Sequence, residues 1–322
     1  MAMLEVNHLA IQFGGLRAVD GFNVSIEKGQ LYGLIGPNGA GKTTIFNLLT
    51  GVYKPTEGII KLDGQDITGK STIEINKAGI ARTFQNIRLF KDMPVLDNVK
   101  VGLHNHHSYS TLTGILRLPK YHKEEKEMNE KAMEILKVFD LDKEADTLAG
   151  NLPYGKQRKL EIARALATNP KLLIADEPTT ALDVTIQAQI LRIIKTLTKE
   201  SNTSVLLITH DMGVVAEVAD HVMVMYAGKS VEYGTAEDIF DHPKHPYTIG
   251  LLNSIPKLGS GQEEHLYTIE GTVPGLDEMP EGCRFCTRCQ HATEQCRKKD
   301  PGMREVDGHM VRCFLYGKEG EN

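Results

Sequence analysis

The sequence predicts an α/β protein built on a mainly parallel β-sheet, followed by a smaller second domain. Three observations lead to this fold class: a glycine-rich loop between an apolar strand and a helix, alternating strands and helices from Lys171 onward, and a tail rich in Pro, Gly, Cys and His after about His242. The 322 residues exceed one typical domain. We therefore expect a main domain over residues 1–241 and a small domain over residues 242–322.

The composition is that of a soluble globular protein, with 41% apolar and 25% charged residues. A net charge of −5 gives no electrostatic case for binding nucleic acid, which usually requires a basic surplus. The longest apolar runs are a handful of residues, whereas a transmembrane helix needs about 20. The N-terminus lacks the pattern of a secretory signal. We expect a cytosolic chain that binds no nucleic acid.

The order of predicted elements supports the fold class. Short strand-like runs separated by glycine-rich turns extend from Leu4 to about Thr68. A mostly helical block follows over about residues 86–170, with an amphipathic helix over residues 123–140 and a polar loop over residues 98–119. Strands and helices then alternate, which is typical of a mainly parallel sheet.

The clearest motif is Gly-Pro-Asn-Gly-Ala-Gly-Lys-Thr over residues 36–43, which fits the pattern G-x-x-x-x-G-K-S/T. Glycines let backbone amides surround phosphates, and the N-terminus of the following helix adds a favourable dipole. We expect Lys42 to reach the β- and γ-phosphates of a nucleotide and the Thr43 hydroxyl to bind Mg²⁺. The predicted nucleotide-binding residues here are Gly36, Asn38, Gly39, Gly41, Lys42, Thr43 and Thr44.

A pair of carboxylates, Asp176 and Glu177, ends the apolar run over residues 172–175. Because adjacent strand residues point in opposite directions, Asp176 can face Mg²⁺ while Glu177 faces an attacking water as general base. Alone, such a pair is more typical of a solvated turn, so its interpretation depends on the phosphate loop. His210 ends a later strand and can bind the γ-phosphate or the catalytic water, although a lone histidine there is usually incidental.

Several motifs occur in the order found in ABC transporter ATPases, and the chain resembles that family over residues 1 to about 240. The resemblance rests on the phosphate loop, Gln85, Leu152-Pro-Tyr-Gly-Lys-Gln157, Asp176-Glu177, Thr180-Ala-Leu-Asp183 and His210. It implies a P-loop NTPase cassette: a mainly parallel sheet core, an antiparallel β-subdomain and a helical subdomain over about residues 86–170.

The same resemblance implies roles for further residues. Gln85 is similar to the glutamine that senses Mg²⁺ and the attacking water, and Asp183 to the aspartate that crosses the dimer interface. Phe13 is similar to the aromatic residue that stacks on adenine, although a core phenylalanine is the competing interpretation. The segment containing Gly155 and Gln157 departs from the Leu-Ser-Gly-Gly-Gln pattern because the serine is absent, which leaves Gly155 at a helix N-terminus that can face the partner's phosphate.

Two subfamilies contribute to the resemblance. Residues 1 to about 170 resemble ATPases of branched-chain amino-acid importers, which share Leu-Pro-Tyr-Gly over residues 152–155. Residues from about 171 to 322 resemble ATPases of oligopeptide and dipeptide importers, as in Gly282-Cys-Arg-Phe285. The sequence thus has the pattern of a mosaic, of natural or constructed origin.

All five cysteines lie between Cys283 and Cys313, and an odd number in a reducing compartment favours metal ligation over disulfides. Zinc, an iron–sulfur cluster and buried thiols are the alternatives. The likeness to peptide-importer ATPases implies a [4Fe–4S] cluster, with Cys286 extra to the pattern. The implied cluster ligands are Cys283, Cys289, Cys296 and Cys313.

Together these likenesses imply an ATP-hydrolysing subunit of an ABC importer that takes up peptides or amino acids. The implied partners are integral-membrane permease subunits, a second ATPase subunit in a heterodimer or homodimer and, indirectly, an external solute-binding protein. The implied place is the cytoplasmic face of the membrane. A soluble ABC ATPase without a permease is the alternative function.

Overall fold

A computed structural model describes residues 2–106, 115–255, 268–275 and 278–317. These residues form two compact units. The terminal unit combines Met1–Gly69 with Ile208–Asn322, and the middle unit spans Lys70–Leu207. The C-terminal tail thus groups with the N-terminal residues, and the domain boundary at residue 242 stays a prediction.

The strands and helices follow the alternation that the sequence predicts from Lys171 onward. The strands are β1 (Leu4–Phe13), β2 (Leu16–Ile26), β3 (Leu31–Ile35), β4 (Glu57–Leu62), β5 (Gln65–Asp66), β6 (Ile80–Arg82), β7 (Leu172–Asp176), β8 (Ser204–Ile208), β9 (His221–Tyr226), β10 (Lys229–Thr235), β11 (Arg304–Val306) and β12 (His309–Val311). The helices are α1 (Lys42–Leu49), α2 (Thr72–Ala78), α3 (Val95–Leu103), α4 (Pro119–Val138), α5 (Tyr154–Leu166), α6 (Val184–Glu200), α7 (Met212–Val218), α8 (Ala236–Asp241), α9 (Pro246–Asn253) and α10 (Glu294–Lys298).

Two groups of strands build the terminal unit. An antiparallel sheet has the order β2-β1-β4-β5, and its central strand β1 pairs Leu4 with Ile26 on one side and with Leu62 on the other. A second run has the order β11-β12-β10-β9-β3, in which β3 and β9 are parallel. All five residues of β3 are buried, as expected for a strand covered on both faces. The tail contributes β12 and β11, which extend the edge of β10.

An aromatic cluster joins the tail to the core of the terminal unit. Phe285 in the tail lies 5.2 Å from Tyr226 of β9 and 5.5 Å from Tyr247 of α9, measured between ring centroids. All three side chains are buried. Aromatic rings packed at these distances stabilise a structure beyond the burial of their area, so the tail is part of this core.

The middle unit contains strands β8, β7 and β6 as neighbours in that order. Its helices α3, α4 and α5 pack on one another. Helix α4 confirms the predicted amphipathic helix, because Met128, Ala132 and Leu136 repeat at a spacing of four and are fully buried. None of the described helices combines the length with the apolar composition that a membrane span requires.

The predicted loop over residues 98–119 is partly wrong. Helix α3 covers Val95–Leu103, because Val95, Val99 and Leu103 form a buried apolar stripe. The polar Asn98 is buried inside it, and its amide nitrogen donates to the carbonyls of Phe90 and Pro94. Residues 107–114 of the predicted loop lie outside the described residues.

Candidate active site

The phosphate loop joins β3 to α1 in the terminal unit, as the motif predicts. Gly41 precedes the helix with φ of 95°, in the left-handed region. A Cβ at this position would lie 3.2 Å from the carbonyl oxygen of Ala18, so only glycine fits here without displacing a neighbour. Among the described residues no side chain caps α1, so the amides of its first turn face the loop and suit an anion.

Lys42 is the cation of this loop. Its side chain is 9% exposed, and its ammonium donates to the carbonyl oxygens of Gly36 at 2.6 Å and Pro37 at 3.1 Å. Asn38, Gly39 and Thr43 are exposed on the same loop and first helical turn, and Thr44 is half-buried. The arrangement offers one positive charge, backbone amides and a hydroxyl to a phosphate–Mg²⁺ ligand.

The turn between β9 and β10 is hydrogen-bonded to this loop. The sequence analysis did not identify this contact. The amide of Gly228 donates to the carbonyl oxygen of Ala40 at 2.9 Å, while the amide of Asp20 donates to the carbonyl oxygen of Gly228 at 3.0 Å. Ala227 and Gly228 have φ of 47° and 83°. A two-residue hairpin turn with positive φ at both positions favours glycine, so Ala-Gly between two strand-like runs was the available signal.

Two more predicted residues lie in the terminal unit. Phe13 ends β1 with a ring that is 44% exposed and lies edge-on to Tyr53 at 5.2 Å, so the interpretation as a core phenylalanine is wrong. Its role toward adenine stays a prediction. His210 is exposed, and the preceding Thr209 donates its amide to the carbonyl oxygen of Leu34 on β3. His210 therefore follows a residue anchored to the strand that leads into the phosphate loop.

The two carboxylates lie at the end of β7 in the middle unit, and both are buried. Asp176 is the last residue of the strand, while Glu177 has φ of 48° and has left it. The sequence argument from strand alternation therefore does not apply to Glu177; its direction is set by a left-handed backbone. Thr180 donates its hydroxyl to Oε2 of Glu177 at 2.9 Å. A strained backbone of this kind is typical of functional positions.

Gln85 follows β6, at the edge of the middle unit where Asp176 ends β7. The amide of Thr83, two residues before it, donates to the carbonyl oxygen of Ile174 on β7. Strands β6 and β7 are parallel, so the segments that carry Gln85 and Asp176 leave at one sheet edge. The side chain of Gln85 is exposed.

A buried ion pair that the sequence analysis did not find holds the Gln85 segment. The guanidinium of Arg158 donates to the carbonyl oxygens of Phe84 at 2.6 Å and Gln85 at 2.8 Å, and pairs with Glu161 at 2.8 Å. Burial raises the pKa of the Glu161 carboxyl, and the Arg88 amide and the guanidinium of Arg158 oppose that rise. Arg and Glu three residues apart on α5 were the available signal.

The segment with Gly155 begins α5, as predicted. Among the described residues no side chain caps this helix, whose N-cap is Pro153, and Tyr154 is exposed. A Cβ on Gly155 would lie 3.0 Å from a methyl carbon of Ile186. The side-chain amide nitrogen Nε2 of Gln157 donates to the carbonyl oxygen of Leu152 at 2.7 Å, so this side chain holds the loop that precedes the helix.

Asp183 caps helix α6: its carboxylate accepts the amide of Ile186 at 2.9 Å. It is exposed, which leaves its second oxygen able to meet another chain. The role at a dimer interface stays a prediction. The structure adds a local role for Asp183, as the N-cap of α6.

The five cysteines line a single cavity of about 120 Å³, together with His245 and His291. Burial raises the pKa of the Cys283 thiol to about 12, which favours the protonated form. Among the described residues, no three His, Cys, Asp or Glu side chains converge as metal ligands do. The side-chain positions therefore do not support the predicted metal site, although they place all its proposed ligands in one cavity.

Comparisons with known proteins agree with these motifs. The family model "ABC transporter" matches residues 19–180, and "Oligopeptide/dipeptide transporter, C-terminal region" matches residues 231–296. The oligopeptide transport ATP-binding protein OppD of Haemophilus influenzae is 40% identical over 98% of both chains. The branched-chain amino acid transport ATP-binding protein BraF of Pseudomonas aeruginosa is 44% identical over 75% of this chain and 94% of its own.

Solved structures show the same likeness. A nucleotide-free ATP-binding cassette from an ABC transporter matches with a TM-score of 0.68 and 34% identity, covering 78% of this chain and 98% of that one. The ADP conformation of MJ1267, an ATP-binding cassette of an ABC transporter, matches with a TM-score of 0.67 at 33% identity and the same coverage. The predicted α/β cassette fold is confirmed.

Proposed function

This chain belongs to the ATP-binding subunits of ABC transporters, and from that premise we propose that it binds Mg-ATP and hydrolyses it to energise the uptake of peptides or amino acids. The single observation that carries the proposal is the phosphate loop, with glycines in left-handed conformations and Lys42 folded over it. The similarity to peptide and branched-chain amino-acid transport proteins supports the solute class.

Each site residue has a chemical task in this proposal. Lys42 neutralises phosphate charge, and the Thr43 hydroxyl and the Asp176 carboxylate are suited to hold Mg²⁺, which supplies Lewis-acid polarisation of the phosphates. Glu177 accepts a proton from the attacking water, with Gln85 and His210 positioning that water and the γ-phosphate. The buried positions of Asp176 and Glu177 support these tasks, because low dielectric strengthens charge interactions.

The test is phosphate release by the purified chain with Mg-ATP, in lipid vesicles that contain a permease and without one. We expect stimulation by a permease. Turnover that is insensitive to every peptide and amino-acid permease tested would favour the permease-independent ATPase instead. Binding at the cytoplasmic face of the membrane is part of the proposal, and co-sedimentation with permease-containing vesicles checks it.

A cavity of about 460 Å³ in the middle unit is the proposed docking groove for the permease. Arg82 and Arg88 lie over the ring of Phe84 at 4.4 and 4.8 Å, and Arg164 lies over Phe90 at 5.4 Å. Guanidinium groups on aromatic rings make a positively charged groove with an apolar floor. This combination suits a short permease helix that carries an acidic residue.

The groove lies in the part of the chain that resembles branched-chain amino-acid importers, so we propose that it selects a permease of that type. Reconstitution with each type of permease is the measurement. ATPase stimulation only by a peptide permease would show that the C-terminal half selects the partner. Pairing with a second, different ATPase subunit and indirect dependence on an external solute-binding protein belong to the same proposal.

We also propose that the cysteine cavity holds a [4Fe–4S] cluster through Cys283, Cys289, Cys296 and Cys313, with zinc as the alternative. All four cysteines line one cavity, which supports the cluster. Their thiols have to move closer together before they can bind a metal. Iron and acid-labile sulfide in anaerobically purified protein are the measurement, with Cys286→Ser as the matched control for Cys289→Ser. Zinc at one per chain without iron would contradict the cluster.

A further inference from the structure

We propose that Arg284, in the C-terminal tail, is a positioning residue for the phosphate loop and sets the affinity of the chain for ATP. The inference rests on the proposed function, because it concerns how tightly the same loop binds nucleotide. It concerns the terminal unit alone.

The packing of the tail fixes the position of Arg284. It lies between Cys283 and Phe285, and the buried ring of Phe285 packs on Tyr226 at the end of β9. The Arg284 side chain is 9% exposed. A side chain fixed at its base and enclosed along its length loses little further entropy when its guanidinium forms hydrogen bonds.

The guanidinium contacts the turn between β9 and β10. Nη1 donates to the carbonyl oxygen of Ala227, and Nη2 lies 3.5 Å from a carboxylate oxygen of Asp20. A Cβ on Gly228 would lie 2.7 Å from Nη1, so the guanidinium packs directly against this glycine. Arg284 thus bonds to one residue of the turn and touches the other.

The turn between β9 and β10 also contacts the phosphate loop. The amide of Gly228 donates to the carbonyl oxygen of Ala40, two residues before Lys42, at 2.9 Å. A Cβ on Gly41 would lie 3.4 Å from the Cα of Gly228, which shows how closely the two backbones pass. A displacement of the turn therefore moves the backbone that carries Lys42.

The conformation of Ala227 explains why the turn needs this support. Its φ of 47° is in the left-handed region, which is unfavourable for a non-glycine residue and persists only where its surroundings hold it. Arg284 donates to the carbonyl oxygen of that residue. Without the guanidinium, the turn gains freedom, and the phosphate loop has to be ordered when ATP binds, which lowers affinity.

The test measures binding of a fluorescent Mg-ATP analogue to the full chain, and KM and kcat for ATP. For Arg284→Gln we expect Kd and KM to rise about tenfold, the scale of one lost hydrogen bond from a charged group, with kcat at saturating ATP within about twofold. Arg284→Lys keeps the charge near Asp20 but loses the planar fork, so we expect a smaller rise in Kd.

Arg288→Gln is the matched control. Arg288 donates to the carbonyl oxygens of Ile269 and Glu270, both at 2.8 Å, and approaches the Tyr226 hydroxyl at 3.4 Å. This variant also removes a guanidinium that holds the backbone of the tail, but it leaves the contacts to Ala227 and Gly228 in place. Its Kd for the ATP analogue should match that of the wild type.

Three results would overturn the inference: an unchanged Kd in Arg284→Gln, an equal rise in Arg288→Gln, or a fall in kcat without a change in KM. A wild-type chain that binds no nucleotide would instead overturn the proposed function. Should Arg284→Gln fail to fold, amide hydrogen exchange of residues 38–44 in Arg284→Lys decides. Faster exchange there than in the wild type supports the inference, and equal exchange overturns it.

Discussion

The terminal unit and the middle unit each hold their own candidate functional residues, and they do so by different means. In the terminal unit, the phosphate loop is held by main-chain hydrogen bonds and close backbone packing, as between Gly228 and Ala40. In the middle unit, the Gln85 segment is held by the buried side chains of Arg158 and Glu161. A main-chain contact of this kind leaves only a short local signal in the sequence, such as Ala-Gly in a turn, whereas a contact made by side chains from a distant helix leaves none at the segment it holds.

The units also differ in the measurable property that we expect each to control. The terminal unit carries the groups proposed to bind phosphate, so its variants should change ATP affinity. The middle unit carries the proposed general base and the side chains that hold the Gln85 segment, so its variants should change turnover or stability. Variants in each unit test whether this division holds.

The largest effect is expected for Glu177→Gln in the middle unit. The amide cannot accept a proton from water, so kcat should fall by about 10² to 10⁴, the usual scale for a lost general base. Affinity for ATP should be retained, because the carboxamide preserves the shape. Single-turnover hydrolysis and nucleotide binding are the measurements, with the exposed Glu130→Gln on α4 as control. Near-normal turnover would place the base elsewhere.

Arg158→Met should destabilise the middle unit. The change leaves the Glu161 carboxylate buried without its cation, a situation that typically costs about 3 to 5 kcal/mol of unfolding free energy. Denaturant unfolding measures it, and the exposed Arg192→Met is the control. The double variant Arg158→Met with Glu161→Leu should recover part of the loss. A loss below about 1 kcal/mol in the single variant would show that this pair does not hold the segment.

Lys42→Ala should weaken ATP binding in the terminal unit. It removes the cation that we propose faces the phosphates, and we expect Kd to rise about tenfold to a hundredfold. Equilibrium binding of a fluorescent ATP analogue checks this, with the exposed Lys28→Ala as control. If instead turnover falls while affinity is unchanged, the division of labour between the units is wrong.

The smallest effect is expected at Asp183. Asp183→Ala removes the N-cap of α6 and should cost about 1 kcal/mol of unfolding free energy, whereas Asp183→Asn keeps a capping oxygen and should cost little. Thermal unfolding separates the two variants. Reduced ATPase activity in the stable Asp183→Asn variant would indicate that the charge also acts at a dimer interface, and full activity would leave only the capping role.

The sequence predicted the parts of the site that local chemistry determines. The phosphate loop is confirmed as a glycine-rich connection from β3 to α1, and the period of four in α4 predicted its buried face. The prediction failed for α3, where a polar residue proved to be structural: Asn98 is buried because it satisfies backbone groups of the preceding loop.

Two other features are not encoded in a local sequence pattern. The pairing of Arg158 with the carbonyls of Phe84 and Gln85 joins residues more than 70 positions apart, and no local pattern specifies it. The direction of Glu177 follows from its backbone angle, which strand periodicity does not encode. Fold class therefore followed from the sequence, while the supports of the site required the structure.

The hydrogen bond between Gly228 and Ala40 has a consequence for ancestry. It connects the N-terminal half of the chain to the C-terminal half through main-chain atoms, which are the same in every protein. A main-chain hydrogen bond of this kind can form between segments of different descent, because recombination changes side chains and leaves amides and carbonyls unchanged. A chain that resembles one subfamily in its first half and another in its second can keep its phosphate loop intact for this reason. Chimeras exchanged before this turn, which keep it together with Arg284, should retain nucleotide binding more readily than chimeras that separate Arg158 from the Gln85 segment.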